Sequence, residues 1–215
     1  MKKLKGIILS GGSGTRLSPV TKVLSKQMLL IYDKPMIYYP LSTLIESGIS
    51  EILIISTPRD ISMFEKLLGD GKRLGIRLSY ECQPEPKGLA QALIIAENFL
   101  CGSPSVLILG DNLFFGNELT EFISKNLFNN YGANIFGIEV QDPERYGVIE
   151  ISSNGEILSV EEKPKFPKSN YAITGIYIYD DKASKYAKKL KPSKRGEVEI
   201  VDLLNIYRLK KQLNA

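Results

Sequence analysis

Short apolar runs alternate with amphipathic stretches over roughly the first 130 residues. Residues 6–9, 51–56, 78–81 and 106–110 read as strands, and 36–47, 61–68 and 89–100 as helices, at the spacing of βα units. In 36–47 the apolar residues Ile37, Leu41, Leu44 and Ile45 fall at i, i+4, i+7 and i+8, and Gly48 follows as a helix stop. Residues 52–55 are apolar throughout, the pattern of a strand covered on both faces. The expected core is therefore a mostly parallel central sheet with helices on both sides, a Rossmann-like α/β arrangement.

After about residue 130 the pattern becomes β-rich. Segments 135–140, 148–151, 157–161 and 173–179 are separated by Pro143, Asn154-Gly155 and the stretch 164–167, so either a second sheet or an extension of the first is expected. Helical patterning returns in 181–190 and 200–211. No internal repeat, low-complexity tract or flexible linker interrupts the chain, and 1–215 is expected to pack as one domain with parts at about 1–130 and 131–215.

The most informative polar segment is Gly11-Gly12-Ser13-Gly14-Thr15-Arg16-Leu17, reached directly from the first strand. Three glycines in four positions allow a tight turn whose N–H groups point at phosphate oxygens, and Arg16 adds a permanent fork of donors. The loop lacks the Gly-Lys-Ser/Thr of a Walker A motif and the third glycine of a dinucleotide fingerprint, so an ordinary glycine turn is the competing reading. Gly110-Asp111-Asn112 stands at the carboxyl end of a strand, where open α/β sheets place ligands. Asp111 suits a metal there or a simple helix cap. Lys26 lies close enough in sequence to reach the same phosphates, and Glu161-Glu162-Lys163-Pro164 ends a strand with two carboxylates and a cation.

Composition removes whole classes of chemistry. The chain has no histidine and two cysteines, Cys82 and Cys101, so a Ser-His-Asp triad, a Cys-His dyad and His-rich or Cys₄ zinc sites are excluded. What remains is chemistry run by carboxylates, cations and hard metals such as Mg²⁺. Net charge is +4, with a mild cluster between Lys182 and Arg195 that reads as a solvated face or an attractor of anions, and no nucleic-acid partner is implied. No apolar run approaches the ~20 residues of a membrane span, and the apolar stretch near the N-terminus is far shorter than a secretory signal requires. A cytoplasmic protein with buried, reduced thiols is expected.

The ordered motifs resemble those of glucose-1-phosphate thymidylyltransferases over essentially the whole chain. They are Gly11 to Leu17, Ser25-Lys26-Gln27, Tyr32 to Leu41, Gln83-Pro84, Gly88 to Ala92, Gly110-Asp111-Asn112, Asp142 to Val148, Glu161 to Pro164, Ser169 to Ala172 and Arg195-Gly196-Glu197. The resemblance implies Mg²⁺-dependent transfer of a thymidylyl group from dTTP to α-D-glucose 1-phosphate, giving dTDP-glucose and pyrophosphate at the start of dTDP-L-rhamnose synthesis. It also implies a homo-oligomer, a tetramer.

By motif match, Gly11, Gly12, Ser13, Gly14, Thr15 and Arg16 would hold the triphosphate with Lys26, and Leu9, Gln83 and Gly88 would contact nucleoside and base. Asp111 would ligate Mg²⁺. Asn112, Tyr146, Gly147, Glu162, Lys163, Ile173 and Arg195 would line the sugar-phosphate pocket, and Arg16, Lys26, Asp111 and Lys163 would carry catalysis. The sequence departs from the family at Ser10, Ser18 and Leu30. It is also expected to lack a C-terminal part with a second metal-binding Asp, which predicts weakened turnover and exposed apolar surface. A nucleotide-binding or regulatory module with little catalysis, and a UTP-using sugar nucleotidyltransferase, stand as alternatives.

Overall fold

The computed structural model describes residues 2–12, 14–126 and 131–215. β1 (Lys5–Ser10) leads through the glycine loop to a small hairpin, β2 (Leu30–Ile31) and β3 (Lys34–Pro35). The alternating part continues with α1 (Tyr38–Glu46), β4 (Glu51–Ser56), α2 (Ile61–Leu68), β5 (Arg77–Cys82), α3 (Gln91–Ile95), α4 (Glu97–Leu100) and β6 (Ser105–Leu109). Then come α5 (Glu118–Lys125), β7 (Ala133–Glu139), β8 (Gly147–Ile151), β9 (Ile157–Glu162), β10 (Tyr171–Tyr179), α6 (Ala183–Ala187), α7 (Ile200–Leu209) and β11 (Leu213–Asn214).

β1 lies between β4 and β6, parallel to both, and β5 pairs in parallel beyond β4. The chain thus moves from β1 through β4 to β5 in one direction, then returns to the other side of β1 as β6. At such a reversal the loops leaving neighbouring strands part and open a crevice at their carboxyl ends. The glycine loop leaves β1 there and Gly110-Asp111 leaves β6 there. The Gly110 N–H donates to the Leu9 carbonyl at 2.9 Å and holds the two strand ends together.

The β-rich part extends the same sheet rather than forming a second one. β10 runs antiparallel between β6 and β7, and the hairpin β8–β9 attaches to β10. β6 pairs with β10 only from Ile176 to Tyr179, whereas Tyr171 and Ala172 pair with β8 on that edge. Residues 173–175 have no ladder partner between those two neighbours, and a cavity opens beside them.

Both faces of the sheet are covered. Ile7, Leu53, Ile55 and Leu107 pack with Leu93, Ala96, Leu203 and Tyr207, while Ile8, Ile52, Ile54 and Ile108 pack with Leu41, Leu44, Phe64 and Ile123 on the opposite face. Successive strand residues point to opposite faces, which is why an uninterrupted apolar run fits only a doubly covered strand. Each fully buried aliphatic side chain contributes about 1.5–3 kcal/mol.

Four local expectations need correction. The helix expected over 89–100 divides into α3 and α4 at Ala96, whose ψ of −4° opens the turn. α5, which the periodicity reading does not predict, is carried by Leu119, Phe122 and Ile123 at three- and four-residue spacing and buries Ile123. The helix expected to reach residue 211 stops at Leu209, and after Lys211 at φ 55° the chain joins the sheet as β11 beside β7. Cys101 is exposed and Cys82 half-buried, both as free thiols, so the expectation of buried thiols fails at Cys101, which turns the chain left-handed after α4. Among the described residues no helix is long and apolar enough to cross a membrane.

Candidate active site

The glycine loop forms a cradle at the crevice beside β1. A cavity of about 450 Å³ is walled by Gly11, Gly12 and Gly14 through Arg16, with Lys26, Gln27 and Asp111 opposite. Gly14 has φ 57° and ψ 28°, a left-handed conformation, and a Cβ there would stand 2.8 Å from the Thr21 methyl. Only glycine meets both conditions without displacement. Arg16 then sits on a single 3₁₀ turn, Thr15–Leu17, and Lys26 on another, Lys26–Met28. Ser13 lies outside the described residues.

Lys26 Nζ donates to Asp111 Oδ2 at 2.8 Å, joining the segment after the loop to the loop after β6. Both side chains are about one-third exposed, at 33% and 32%, so solvent still reaches the pair. Gln27 is buried and aims its amide N–H at the Gly11 carbonyl at 3.5 Å, while its own amide oxygen accepts from the Ser25 hydroxyl at 2.7 Å. The Ser56 hydroxyl donates to the Ser10 carbonyl at 2.9 Å and ties the carboxyl end of β4 to that of β1. Gln27 stands in the Ser25-Lys26-Gln27 motif, whereas Ser56 carries no sequence signal beyond its place at a strand end.

A second, larger cavity of about 1160 Å³ opens where β10 lacks a neighbour on the edge shared by β6 and β8. Asn112, Tyr146, Gly147, Glu162, Lys163 and Ile173 all line it, as expected, and Phe114, Thr174, Tyr177 and Val201, to which no sequence motif assigned a site role, join them. Asn112 packs on the bare Cα of Gly175, where a Cβ would come within 2.6 Å of its amide nitrogen. Lys163 takes φ 43°, uncommon for a residue with a side chain, and its N–H donates to the Tyr146 carbonyl at 2.9 Å. Strain of this kind clusters at ligand sites. Burial, reinforced by the Glu162 charge, pushes the Tyr177 phenol far above its ordinary pKa and keeps it a neutral donor.

The two cavities share a wall. Arg16 and Asp111 line both.

Four expected site residues fall outside the walls. Leu9 is a core residue whose carbonyl is already used by Gly110. Gln83 is buried and donates its amide to Gln91 Oε1 at 2.7 Å and to the Gly88 carbonyl at 3.4 Å. Gly88 has φ 99° and presses against the Val198 backbone, where a Cβ would meet the carbonyl oxygen at 2.4 Å, so close packing already accounts for this glycine. Arg195 pairs with Glu197 at 3.1 Å, Glu162 at 3.3 Å and Glu199 at 3.7 Å, and so meets the second cavity through Glu162. Partial burial works against its charge, but Glu199, Glu197 and Glu162 together still push its pKa up. In the Lys182 to Arg195 cluster, Lys188 likewise pairs with Glu97 and Lys182 with Asp180.

The nucleotidyl transferase family profile matches residues 5–215. A glucose-1-phosphate thymidylyltransferase of Xanthomonas campestris pv. campestris (strain B100) is 55% identical over 207 residues, 96% of this chain and 70% of that relative. A Bacillus anthracis crystal structure with sucrose, assigned to the same enzymes, superposes with a TM-score of 0.91 at 42% identity, covering 98% of this chain and 85% of that one. A UDP-glucose pyrophosphorylase complexed with UDP-glucose superposes with a TM-score of 0.84 at 27% identity, covering 99% of this chain and 90% of that one. The chain therefore belongs to the nucleotidyl transferase family and, within it, to the glucose-1-phosphate thymidylyltransferases.

Proposed function

We propose that this site transfers a thymidylyl group from dTTP to α-D-glucose 1-phosphate, releasing pyrophosphate and supplying dTDP-glucose for dTDP-L-rhamnose synthesis. The observation that carries the reading is the wall of Arg16 and Asp111 common to a phosphate cradle and a larger cavity with room for a sugar phosphate. A transfer between two bound substrates needs such a meeting point, because the reacting atoms must approach to about 3–3.5 Å.

The acceptor is a phosphate oxygen already anionic near neutral pH, so a site without histidine suffices. That oxygen forms a bond to the α-phosphorus of dTTP. The bond from this phosphorus to the bridging oxygen breaks, pyrophosphate departs with the electron pair, and no proton needs to move. The barrier is the approach of one polyanion to another, which calls for fixed positive charge and alignment. In this reading Arg16 and Lys26 with the loop N–H groups bind the triphosphate, and Gln83 and Gly88 flank the base. Lys163 pairs with the acceptor phosphate, and Glu162, held by Arg195, accepts from sugar hydroxyls.

Among the described residues no three His, Cys, Asp or Glu side chains converge as a metal cage. Asp111 is a single oxygen donor facing the cradle, which fits an Mg²⁺ whose other ligands are substrate phosphates and water. Bound there, Mg²⁺ supplies neutralisation of the charge on the departing pyrophosphate. Lys26 pairs with Asp111 here, and with Asp111 engaged by Mg²⁺ its ammonium would be free to contact substrate phosphate.

Pyrophosphate release with glucose 1-phosphate and Mg²⁺, measured with dTTP and with UTP in competition, tests the reading. The expected outcome is turnover with dTTP favoured. A UTP preference would select the uridylyl alternative, and nucleotide binding without pyrophosphate release a binding module. The tetramer is part of the same reading and is checked by light scattering on the same sample.

A further inference from the structure

The cradle is held from outside by a group that takes no part in the chemistry. Thr21 is buried, 4% exposed, on a 3₁₀ turn after the loop. Its hydroxyl donates to the Gly14 carbonyl at 2.9 Å, and its methyl occupies the space that a side chain at Gly14 would need. Gly14 opens the turn that carries Arg16, and its carbonyl also accepts from the Leu17 N–H at 2.9 Å. One carbonyl thus fixes both the turn and its distance from Thr21.

Thr21 is in turn tied to a helix remote from both cavities. Asp60, 1% exposed, precedes α2 and takes a two-pronged hydrogen bond from Arg59, from Nε at 2.6 Å and Nη2 at 3.0 Å. The Asp60 N–H is fixed by the carbonyl of Thr57 at 3.0 Å and by its hydroxyl at 3.2 Å, directly after β4. The remaining arm of Arg59, Nη1, reaches the Thr21 carbonyl at 3.5 Å. Asp60 is a buried carboxylate that the transfer does not use, and the guanidinium it orients is spent on the loop's support.

We infer that Thr21 is a positioning residue for the triphosphate, acting through the Gly14 carbonyl to set the height and tilt of the turn bearing Arg16, with Arg59 and Asp60 anchoring it to β4. The inference rests on the proposed nucleotide role of the cradle. Backbone donors act on phosphate only when their directions are fixed before binding, because a loop ordered at the moment of binding spends part of the interaction on its own entropy. A hydroxyl on a β-branched, buried side chain is a stiff means of fixing one.

Thr21→Val keeps the shape and removes the hydroxyl. Thr21→Ser keeps the hydroxyl and removes the methyl, and Thr21→Ala removes both. The expected result is a dTTP KM and directly measured dTTP Kd raised about fivefold in Thr21→Val, the size of one net hydrogen bond, with Thr21→Ser within about twofold of wild type. The KM for glucose 1-phosphate stays unchanged. Should Thr21→Val fail to fold, the Ser and Ala variants carry the same comparison, Ser binding dTTP more tightly than Ala. Equal dTTP affinity in Val, Ser and wild-type proteins would overturn the inference, as would both KM values rising together with a fall in the melting midpoint. If the wild-type protein itself bound no dTTP, the failure would belong to the functional reading and not to Thr21.

Discussion

The two cavities that meet at Arg16 and Asp111 are built in opposite ways. The cradle comes largely from one loop and its backbone, with small residues at the surface and cations behind. The larger cavity comes from side chains on β8, β9, β10, α7 and the loop after β6, brought together by the topology of the sheet. A triphosphate is a row of equivalent oxygens, which a local run of N–H dipoles can meet. A sugar presents hydroxyls in several directions, and matching them takes polar side chains from several elements. Charge is read locally here and shape is read by the fold.

Asp111 belongs to both constructions, so its replacement has the largest expected effect. Asp111→Ala should lower kcat by about 10²–10³, the usual loss when an electrostatic stabiliser at the reacting centre is removed. In EDTA the same variant should bind dTTP about two- to fivefold more tightly, because Lys26 is released from its partially exposed ion pair. Pyrophosphate release and calorimetry read the two effects separately. Turnover within tenfold of wild type would remove Asp111 from the shared wall.

Two further substitutions separate the halves. Gly14→Ala puts a side chain at a left-handed residue already against Thr21, and should raise the dTTP KM about tenfold at a conformational cost of ~1–2 kcal/mol while leaving the acceptor KM alone. Lys163→Met should do the reverse, raising the glucose 1-phosphate KM about tenfold through loss of a charge-assisted contact with dTTP affinity unchanged. Steady-state kinetics with each substrate varied in turn decides it. If either variant moved both constants equally, the division between local and assembled sites would fail.

The same contrast explains what the sequence revealed. Strands covered on both faces announce themselves as continuous apolar runs, so 51–56 was legible to the residue, and the glycine spacing disclosed the cradle. The residues that make the cradle rigid were not legible, because Thr21, Ser56 and Asp60 are ordinary polar residues until folding places them beside a particular carbonyl or guanidinium. Thr174 lies in a gap in strand pairing and Tyr177 just beyond it, and strand order is a long-range property that periodicity does not encode. Gly88 shows a residue with two independent reasons to be glycine. A glycine in a recognised motif invites a ligand role, and the Val198 backbone demands a glycine there with or without one.

The smallest expected effect concerns pH, and it turns on the absence of histidine from both cavities. Tyr177 is the buried phenol on the acceptor side, and its pKa is pushed up by burial and by Glu162, so it stays neutral throughout the working range. The acceptor itself titrates near neutrality, its second phosphate ionisation lying near pH 6. The dianion is the nucleophile, so kcat/KM for the acceptor should rise with unit slope as pH climbs through about 6 and then stay level to about pH 9. A sugar phosphonate, whose second pKa is higher than that of the phosphate ester, should move that limb upward by the same interval, since the ionisation is the substrate's. If the limb stayed in place when the acceptor changed, a protein group would be titrating. The assembled cavity would then contribute a proton-carrying side chain, which a backbone-built cradle cannot do.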